Sequence, residues 1–146
     1  MPNHLAPAII LDLDQTLASL NGRNPYDAST CEQDTLNAPV WNLVDAFLAS
    51  HPQAQTIIVT GRPYKHRAQT KAWLKTHGIT YTALHTREDG DWSAAAFYKW
   101  HIYKLYIENQ YRIEAVFDDN PTVCRMFAEE GLPVFRVGNH RERFAD

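Results

Sequence analysis

Apolar residues fall in short dense runs along the chain, and between the runs they recur at helical spacing. The first run is Ala8-Ile9-Ile10-Leu11-Asp12-Leu13. Apolar neighbours on both faces suit a strand covered on both sides, as in a parallel sheet. A buried strand is therefore expected over residues 8–13, and similar runs predict strands over 55–59, 80–85, 112–117 and 133–137. Ala38-Pro39 opens a helix with proline in its first turn. Val40, Leu43, Val44, Phe47 and Leu48 form its core face, and Ser50-His51-Pro52 ends it. A helix over 64–77 turns Ala68, Ala72, Trp73 and Leu74 inward and stops at Gly78. From Ser93 an amphipathic helix runs to about Asn109, with Phe97, Trp100, Tyr103 and Ile107 as core positions. A last helix covers 122–130 and stops at Gly131. Strand and helix alternate throughout. The expected fold class is α/β, a Rossmann-like five-stranded parallel sheet flanked by helices and joined by right-handed crossovers. Residues 18–37 and 86–92 are polar, turn-rich connections, and 138–146 form a polar tail. Neither connection is long enough for a large cap, so an open site with a minimal cap or none is expected.

Length and composition narrow this picture. At 146 residues the chain fits one domain, residues 1–146, with a sizeable core. A net charge of −3 argues against broad, nonspecific coating of nucleic acid, while a local basic pocket remains compatible with it. Cys31 and Cys124 fit no zinc or redox spacing, which points to reduced thiols in a cytoplasmic protein. No apolar run approaches transmembrane length, and Met1-Pro2-Asn3-His4 lacks the pattern of a signal peptide.

The chemistry sits where apolar runs stop. Asp12 and Asp14 stand at the carboxyl end of the first strand, where open α/β sheets place their ligands. Two acids this close call for a cation or a shared proton. Thr60-Gly61-Arg62 leaves the second strand. Its hydroxyl and amides suit phosphate oxygens, and glycine permits close approach of the backbone. Asp118-Asp119 ends the fourth strand, so the topology carries all three groups to one sheet edge. The acids make an oxygen-rich set suited to Mg²⁺. With phosphate charge offset there, Asp12 can attack phosphorus to give an aspartyl-phosphate. Asp14 can protonate the leaving alkoxide and later deprotonate the attacking water. Thr60 and a lysine, Lys99 or Lys104, would stabilise the phosphoryl oxygens. Arg23 is the only cation of residues 18–37, either an exposed loop arginine or a guanidinium aimed at a substrate phosphate.

In this order, Asp12-Leu13-Asp14-Gln15-Thr16, Thr60-Gly61-Arg62, a helix lysine and Asp118-Asp119 resemble the four motifs of the haloacid dehalogenase-like (HAD) phosphohydrolases. The resemblance covers nearly the whole chain. It implies Asp12 as nucleophile, Asp14 as general acid/base, Thr60 as a phosphate ligand and Mg²⁺ as cofactor. The magnesium site it implies is Asp12, the backbone carbonyl of Asp14, Asp118 and Asp119. Gln15 stands where many members carry glycine. A narrower likeness is to the phosphatase domain of phage-type polynucleotide kinase/3′-phosphatases. Residues 21–27, Thr86-Arg87-Glu88-Asp89-Gly90-Asp91 and Ala115-Val116-Phe117-Asp118-Asp119-Asn120-Pro121 carry it. It implies a DNA or RNA 3′-phosphate substrate, Arg23, Gly61 and Arg62 at the substrate, and Lys99 rather than Lys104 as the motif lysine.

The chain departs from the phage-type pattern at Ala95, where an acid stands four residues before the lysine; Asp91 lies one helical turn earlier. It contains no GxxxxGK[ST] phosphate loop, so a stand-alone phosphatase is expected, with any kinase or ligase as a separate partner. Tyr26, Tyr64 and Trp92 can stack a terminal base or can be packing and loop aromatics. Two other readings stand beside a Mg²⁺-dependent polynucleotide 3′-phosphatase. One is the same chemistry on a nucleotide or metabolite, and the other is an idle domain that binds phosphorylated ends or a protein.

Overall fold

The structure, a computed structural model, describes residues 4–138. Its strands are β1 (Ala6–Leu11), β2 (Ala18–Ser19), β3 (Thr35–Leu36), β4 (Gln55–Pro63), β5 (Ala83–Arg87), β6 (Tyr111–Asp118) and β7 (Val134–Arg136). Its helices are α1 (Ala38–Ser50), α2 (Arg67–Thr76), α3 (Ala95–Ile102) and α4 (Pro121–Glu129). Five strands form one parallel sheet in the order β5-β4-β1-β6-β7. The chain winds outward from β1 to β5, then returns through α3 to β6 on the other side of β1. Strand order thus reverses at β1 and β6, the place where such sheets hold ligands.

Alternation along β1 divides the core. Ile9 and Leu11 face Val44 of α1 and Trp73 and Leu74 of α2. Ala8 and Ile10 face the other layer, built from Tyr98, Val123 and Phe127 of α3 and α4. β1 is fully buried from Ala8 to Leu11, as a strand with helices over both faces must be.

Most predicted elements match in kind, with particular differences. β4 runs through Thr60-Gly61-Arg62 to Pro63 instead of ending at Val59. Side-chain alternation then turns Thr60 and Arg62 inward and Gly61 outward. The third strand lies three residues later than the apolar run suggested, at Ala83–Arg87. The polar stretch after β1 is closed by an antiparallel pairing of β2 with β3. Leu43 and Phe97 were expected in the core and are 60% and 57% exposed, and Ala68 is exposed while Thr70 is buried. A π-helical segment, Tyr103–Ile107, continues α3. Tyr98, Tyr103 and Ile107 belong to one buried cluster, and Phe97, one residue before Tyr98, lies outside it. The predicted polar tail lies outside the described residues apart from Gly138.

Candidate active site

Beyond β1 the chain makes a tight reversal. The carbonyl of Leu13 accepts hydrogen bonds from the amides of Thr16, Leu17 and Ala18. Gln15 takes a left-handed conformation, φ +65°, at the position where glycine would be unstrained. The Asp12 amide donates to the Phe117 carbonyl at 3.0 Å, which ties the end of β1 to β6. At the end of β6, Asn120 caps α4 by accepting from the amides of Thr122 and Val123, and Pro121 fills the first turn. The Asp118 carboxylate accepts from the Asn120 amide at 3.0 Å. This cap fixes Asp118 and Asp119 at the strand end.

Three carboxylates meet there. One oxygen each from Asp12, Asp118 and Asp119 lie within 4.8 Å of one another. Lys99 reaches them from α3, with its Nζ 3.0 Å from Asp12 Oδ1 and 2.7 Å from Asp118 Oδ2. The Thr16 hydroxyl stands 3.0 Å from Asp12 Oδ2 and 3.2 Å from Asp119 Oδ1. Burial pushes Asp12 up to about 7, against the pull of Lys99 and with the charge of Asp119 adding to the rise. Burial likewise pushes Asp118 up to about 6, helped by the charge of Asp12. Burial works against the Lys99 charge, but Asp118 and Asp12 more than offset it and raise its pKa. One ammonium against three carboxylates leaves a deficit of positive charge. All-carboxylate oxygen donors in a partly buried cluster fit Mg²⁺ by donor chemistry. Lys104, the other helix lysine, pairs at the surface with Glu108 and Glu130.

Asp14 stands apart from this cluster. Its Oδ1 accepts from Arg23 Nη2 at 3.0 Å, Arg62 Nε at 2.9 Å and Arg62 Nη2 at 2.7 Å. Its carboxylate is thus not in the three-oxygen group, although the family likeness had placed Asp14 there only through its backbone carbonyl. The two arginines are held in turn by Asp34. Its Oδ1 accepts from Arg23 Nε at 2.9 Å, and its Oδ2 from Arg23 Nη2 at 2.9 Å and Arg62 Nη2 at 3.1 Å. Arg62 is 1% exposed and also faces the Trp73 ring, so its guanidinium is engaged inside the protein. Thr60 is fully buried, and its hydroxyl accepts from the Arg62 amide at 3.2 Å. Gly61 is exposed with no atom near its missing Cβ.

Sequence reasoning missed Asp34 and the contacts of Thr16. Asp34 lies in a turn-rich stretch with no motif around it, and its importance comes from partners 11 and 28 residues away. Thr16 was legible only as part of the first motif. Asp91 does not stand in for the acid absent at Ala95. Its Oδ1 accepts from the Ser93 amide and hydroxyl, closing the turn before α3. Both cysteines are free and buried, and burial pushes Cys124 up to about 12. A cavity of about 540 Å³ lies between β5 and α3, and Asp12, Asp118 and Asp119 do not line it.

Residues 6–141 match the family described as the polynucleotide kinase PNKP phosphatase domain. A "Putative bifunctional polynucleotide kinase/RNA ligase" of Autographa californica nuclear polyhedrosis virus is 31% identical over 133 residues, covering 89% of this chain and 19% of the viral protein. In a solved Pnkp1/Rnl/Hen1 complex, one chain is 35% identical with a TM-score of 0.87, over 92% of this chain and 47% of that one. A solved Pnkp1/Rnl/Hen1 RNA repair complex gives the same identity and TM-score, over 94% of this chain and 44% of that one. A class C acid phosphatase from Bacillus anthracis, 16% identical with a TM-score of 0.59 over 84% of this chain and 55% of that one, shares the fold. The chain thus spans about a fifth of the viral relative and under half of each Pnkp1-complex chain.

Proposed function

Because the chain belongs to the family of polynucleotide kinase PNKP phosphatase domains, we propose that it is a Mg²⁺-dependent phosphomonoesterase that removes the phosphate from nucleic-acid 3′ ends. The observation that carries this reading is the Lys99-held cluster of Asp12, Asp118 and Asp119, with Asp14 fixed beside it on two arginines. Residues 1–146 act as one phosphatase unit. The relatives include a viral polynucleotide kinase/RNA ligase and a component of an RNA repair complex. An RNA 3′-phosphate is therefore the first substrate to try, with a ligase as the partner expected to join the 3′ hydroxyl and a kinase as the one expected to prepare the opposing 5′ end.

Asp12, Asp118 and Asp119, with the carbonyl of Asp14, would hold Mg²⁺. Bound there, the ion would offset phosphate charge and let an anionic carboxylate approach phosphorus. A carboxylate oxygen of Asp12 attacks phosphorus and the bond to the 3′ oxygen breaks. Asp14 gives that oxygen its proton, forming the 3′ hydroxyl. Asp14 then takes a proton from water as it attacks phosphorus, which frees Asp12 and yields inorganic phosphate. Every arginine bond to Asp14 falls on Oδ1, so Oδ2 is the oxygen assigned to proton transfer. Lys99 holds Asp12 in place and neutralises charge beside the phosphoryl group, and Thr60 orients phosphate oxygens. Arg23 and Arg62 act by positioning Asp14, and Asp34 by positioning them.

The test is phosphate release with Mg²⁺ from an oligonucleotide with a 3′-phosphate, beside its 5′-phosphate isomer and a 3′-mononucleotide. Selective release from the 3′ end, absent in Asp12→Asn, is the expected result. Equal turnover of all three would reduce the activity to a general phosphomonoesterase, and no release from any would refute the nucleic-acid reading.

A further inference from the structure

Trp73 of α2 is the largest fully buried side chain among the described residues. It packs with Val44 and Leu74 against the face of β1 that carries Ile9 and Leu11. Filling that space asks only for apolar volume, which another large apolar residue also supplies. An indole adds two things to volume, an N–H donor and an electron-rich ring face. At Trp73 both are engaged, and both act on the same group of charges.

The indole Nε1 donates to the main-chain carbonyl of Asp34 at 2.8 Å. It thereby anchors the residue whose carboxylate accepts from Arg23 and Arg62. The face of the same ring lies 5.7 Å from the guanidinium carbon of Arg62, within the reach of a cation–π contact. Thr70 lies three residues earlier on the same side of α2 and is fully buried. Its hydroxyl accepts from Arg62 Nη1 at 3.4 Å and donates to the His66 carbonyl at 3.0 Å. Arg62 thus turns Nε and Nη2 toward Asp14 and Asp34, and Nη1 and its flat face toward α2.

These contacts reach Asp14 by two routes, one through the Asp34 main chain and one through Arg62 directly. Asp14 is the open end of the network, its side chain 22% exposed against 0% for Arg62 and 1% for Asp34. Its orientation is therefore set from the buried side. A residue at position 73 without an N–H would take from the buried Asp34 carbonyl its indole donor, and a buried acceptor that loses its donor shifts or is left at a cost. Either response loosens the arginines, and the arginines hold the one Asp14 oxygen they touch.

Resting on the 3′-phosphatase reading above, we propose that Trp73 is a positioning residue for proton transfer by Asp14, acting through Asp34 and Arg62. Its N–H anchors Asp34 and its ring backs Arg62. Together they keep the Asp14 carboxylate turned so that Oδ2 meets the leaving 3′ oxygen. As the phosphorus–oxygen bond breaks, the proton passes from Asp14 to that oxygen. Losing the N–H therefore slows cleavage where the leaving atom needs a proton, and spares it where the leaving atom departs without one.

The experiment compares unmodified protein with Trp73→Phe, which keeps an aromatic ring and removes the N–H. Two oligonucleotides of one sequence are the substrates. One carries an ordinary 3′-phosphate, and in the other sulfur replaces the 3′ oxygen that bridges to phosphorus. An alkoxide needs a proton to leave, whereas a thiolate leaves without one. The readout is kcat/KM, which reports the steps through cleavage of that bond. Trp73→Phe should lower kcat/KM about five- to tenfold for the oxygen substrate, the share expected of one hydrogen bond within general acid catalysis. For the sulfur substrate the change should stay below about twofold, since the acid is not used there. If Trp73→Phe does not fold, benzothienylalanine at position 73 keeps the shape and ring of tryptophan with sulfur in place of the N–H, and the same comparison is made. An equal loss on both substrates, as a purely structural role for Trp73 would give, overturns the positioning role and leaves the phosphatase reading intact. No loss on the oxygen substrate does the same. If the unmodified protein cleaves neither oligonucleotide, the phosphatase reading itself fails and the positioning role falls with it.

Discussion

At the scale of single residues, Gln15 and Asp34 carry the sharpest consequences. Gln15 sits at φ +65° directly after Asp14, a conformation that costs a side-chain-bearing residue more than glycine. Gln15→Gly should stabilise the fold by roughly 0.5–1 kcal/mol, the gain being trimmed by the added freedom of the unfolded chain. Denaturant unfolding measures it, and a loss of stability would mean that the Gln15 side chain supplies something the backbone argument misses. Asp34 is different, because it holds two guanidiniums beside Asp14 with its own side chain 1% exposed. Asp34→Ala leaves those charges with Asp14 alone and should cost about 3–5 kcal/mol, as breaking a buried ion network does. Asp34→Asn keeps the shape and should fold, with kcat lowered and KM for a 3′-phosphate little changed, since in the proposed reaction it disturbs the acid/base Asp14 and not the phosphate. A variant with normal kcat would reduce Asp34 to a purely structural role.

At the scale of elements, the strand ends were legible and the loops between them were not. Asp12 and Asp118 were readable because each ends an apolar run, and parallel strands deliver their carboxyl ends to one edge. Thr60 followed from the same logic, although β4 runs on past it to Pro63. Asp34 was not readable, because nothing local distinguishes an acid whose partners come from other elements. The face of α3 was misread at Phe97, because the buried position is its neighbour Tyr98, and one residue's shift moves a side chain about 100° around a helix. The helix still delivers Lys99, since Tyr98 and Lys99 are both buried at its start, one in the core and one among the acids. The junction of β6 and α4 offers a direct test of an element's contribution to the site. Asn120 caps α4 with its side chain and positions Asp118 with its amide. Asn120→Ala should cost about 1 kcal/mol of stability through the lost cap. It should also weaken Mg²⁺ binding by loosening the turn that holds Asp118 and Asp119. Asn120→Asp, which caps as well, should restore the stability; calorimetric titration with Mg²⁺ separates the two effects.

At the scale of the whole molecule, the acid cluster links folding to protons and, in the proposed reaction, to a metal ion. Among the described residues no helix is long and apolar enough to cross a membrane. Burial raises Asp12 to about 7 and Asp118 to about 6, from an ordinary value of 3.8. A carboxyl whose folded pKa is raised keeps its proton better in the folded state than in the unfolded chain. Its contribution is therefore most favourable below about 4, and is lost as pH rises through the unfolded value toward about 6 and 7. Lys99 adds nothing to the slope in that window, because its raised pKa keeps it charged in both states. The two acids should thus make metal-free protein lose stability between pH 4 and 7. Asp12→Asn should flatten that slope by removing the larger contribution. In the proposed reaction Mg²⁺ would bind the ionised form and displace those protons, so its affinity should rise from pH 6 to pH 8 with proton release on binding. By mass action, saturating Mg²⁺ should then raise Tm more at pH 8 than at pH 6. Thermal melts across pH with Mg²⁺ or a chelator measure this, and calorimetry in buffers of different ionisation enthalpy counts the protons. A Mg²⁺ effect on Tm that is equal at both pH values would show that the ion does not bind at Asp12 and Asp118, and would remove the magnesium site from the proposed reaction.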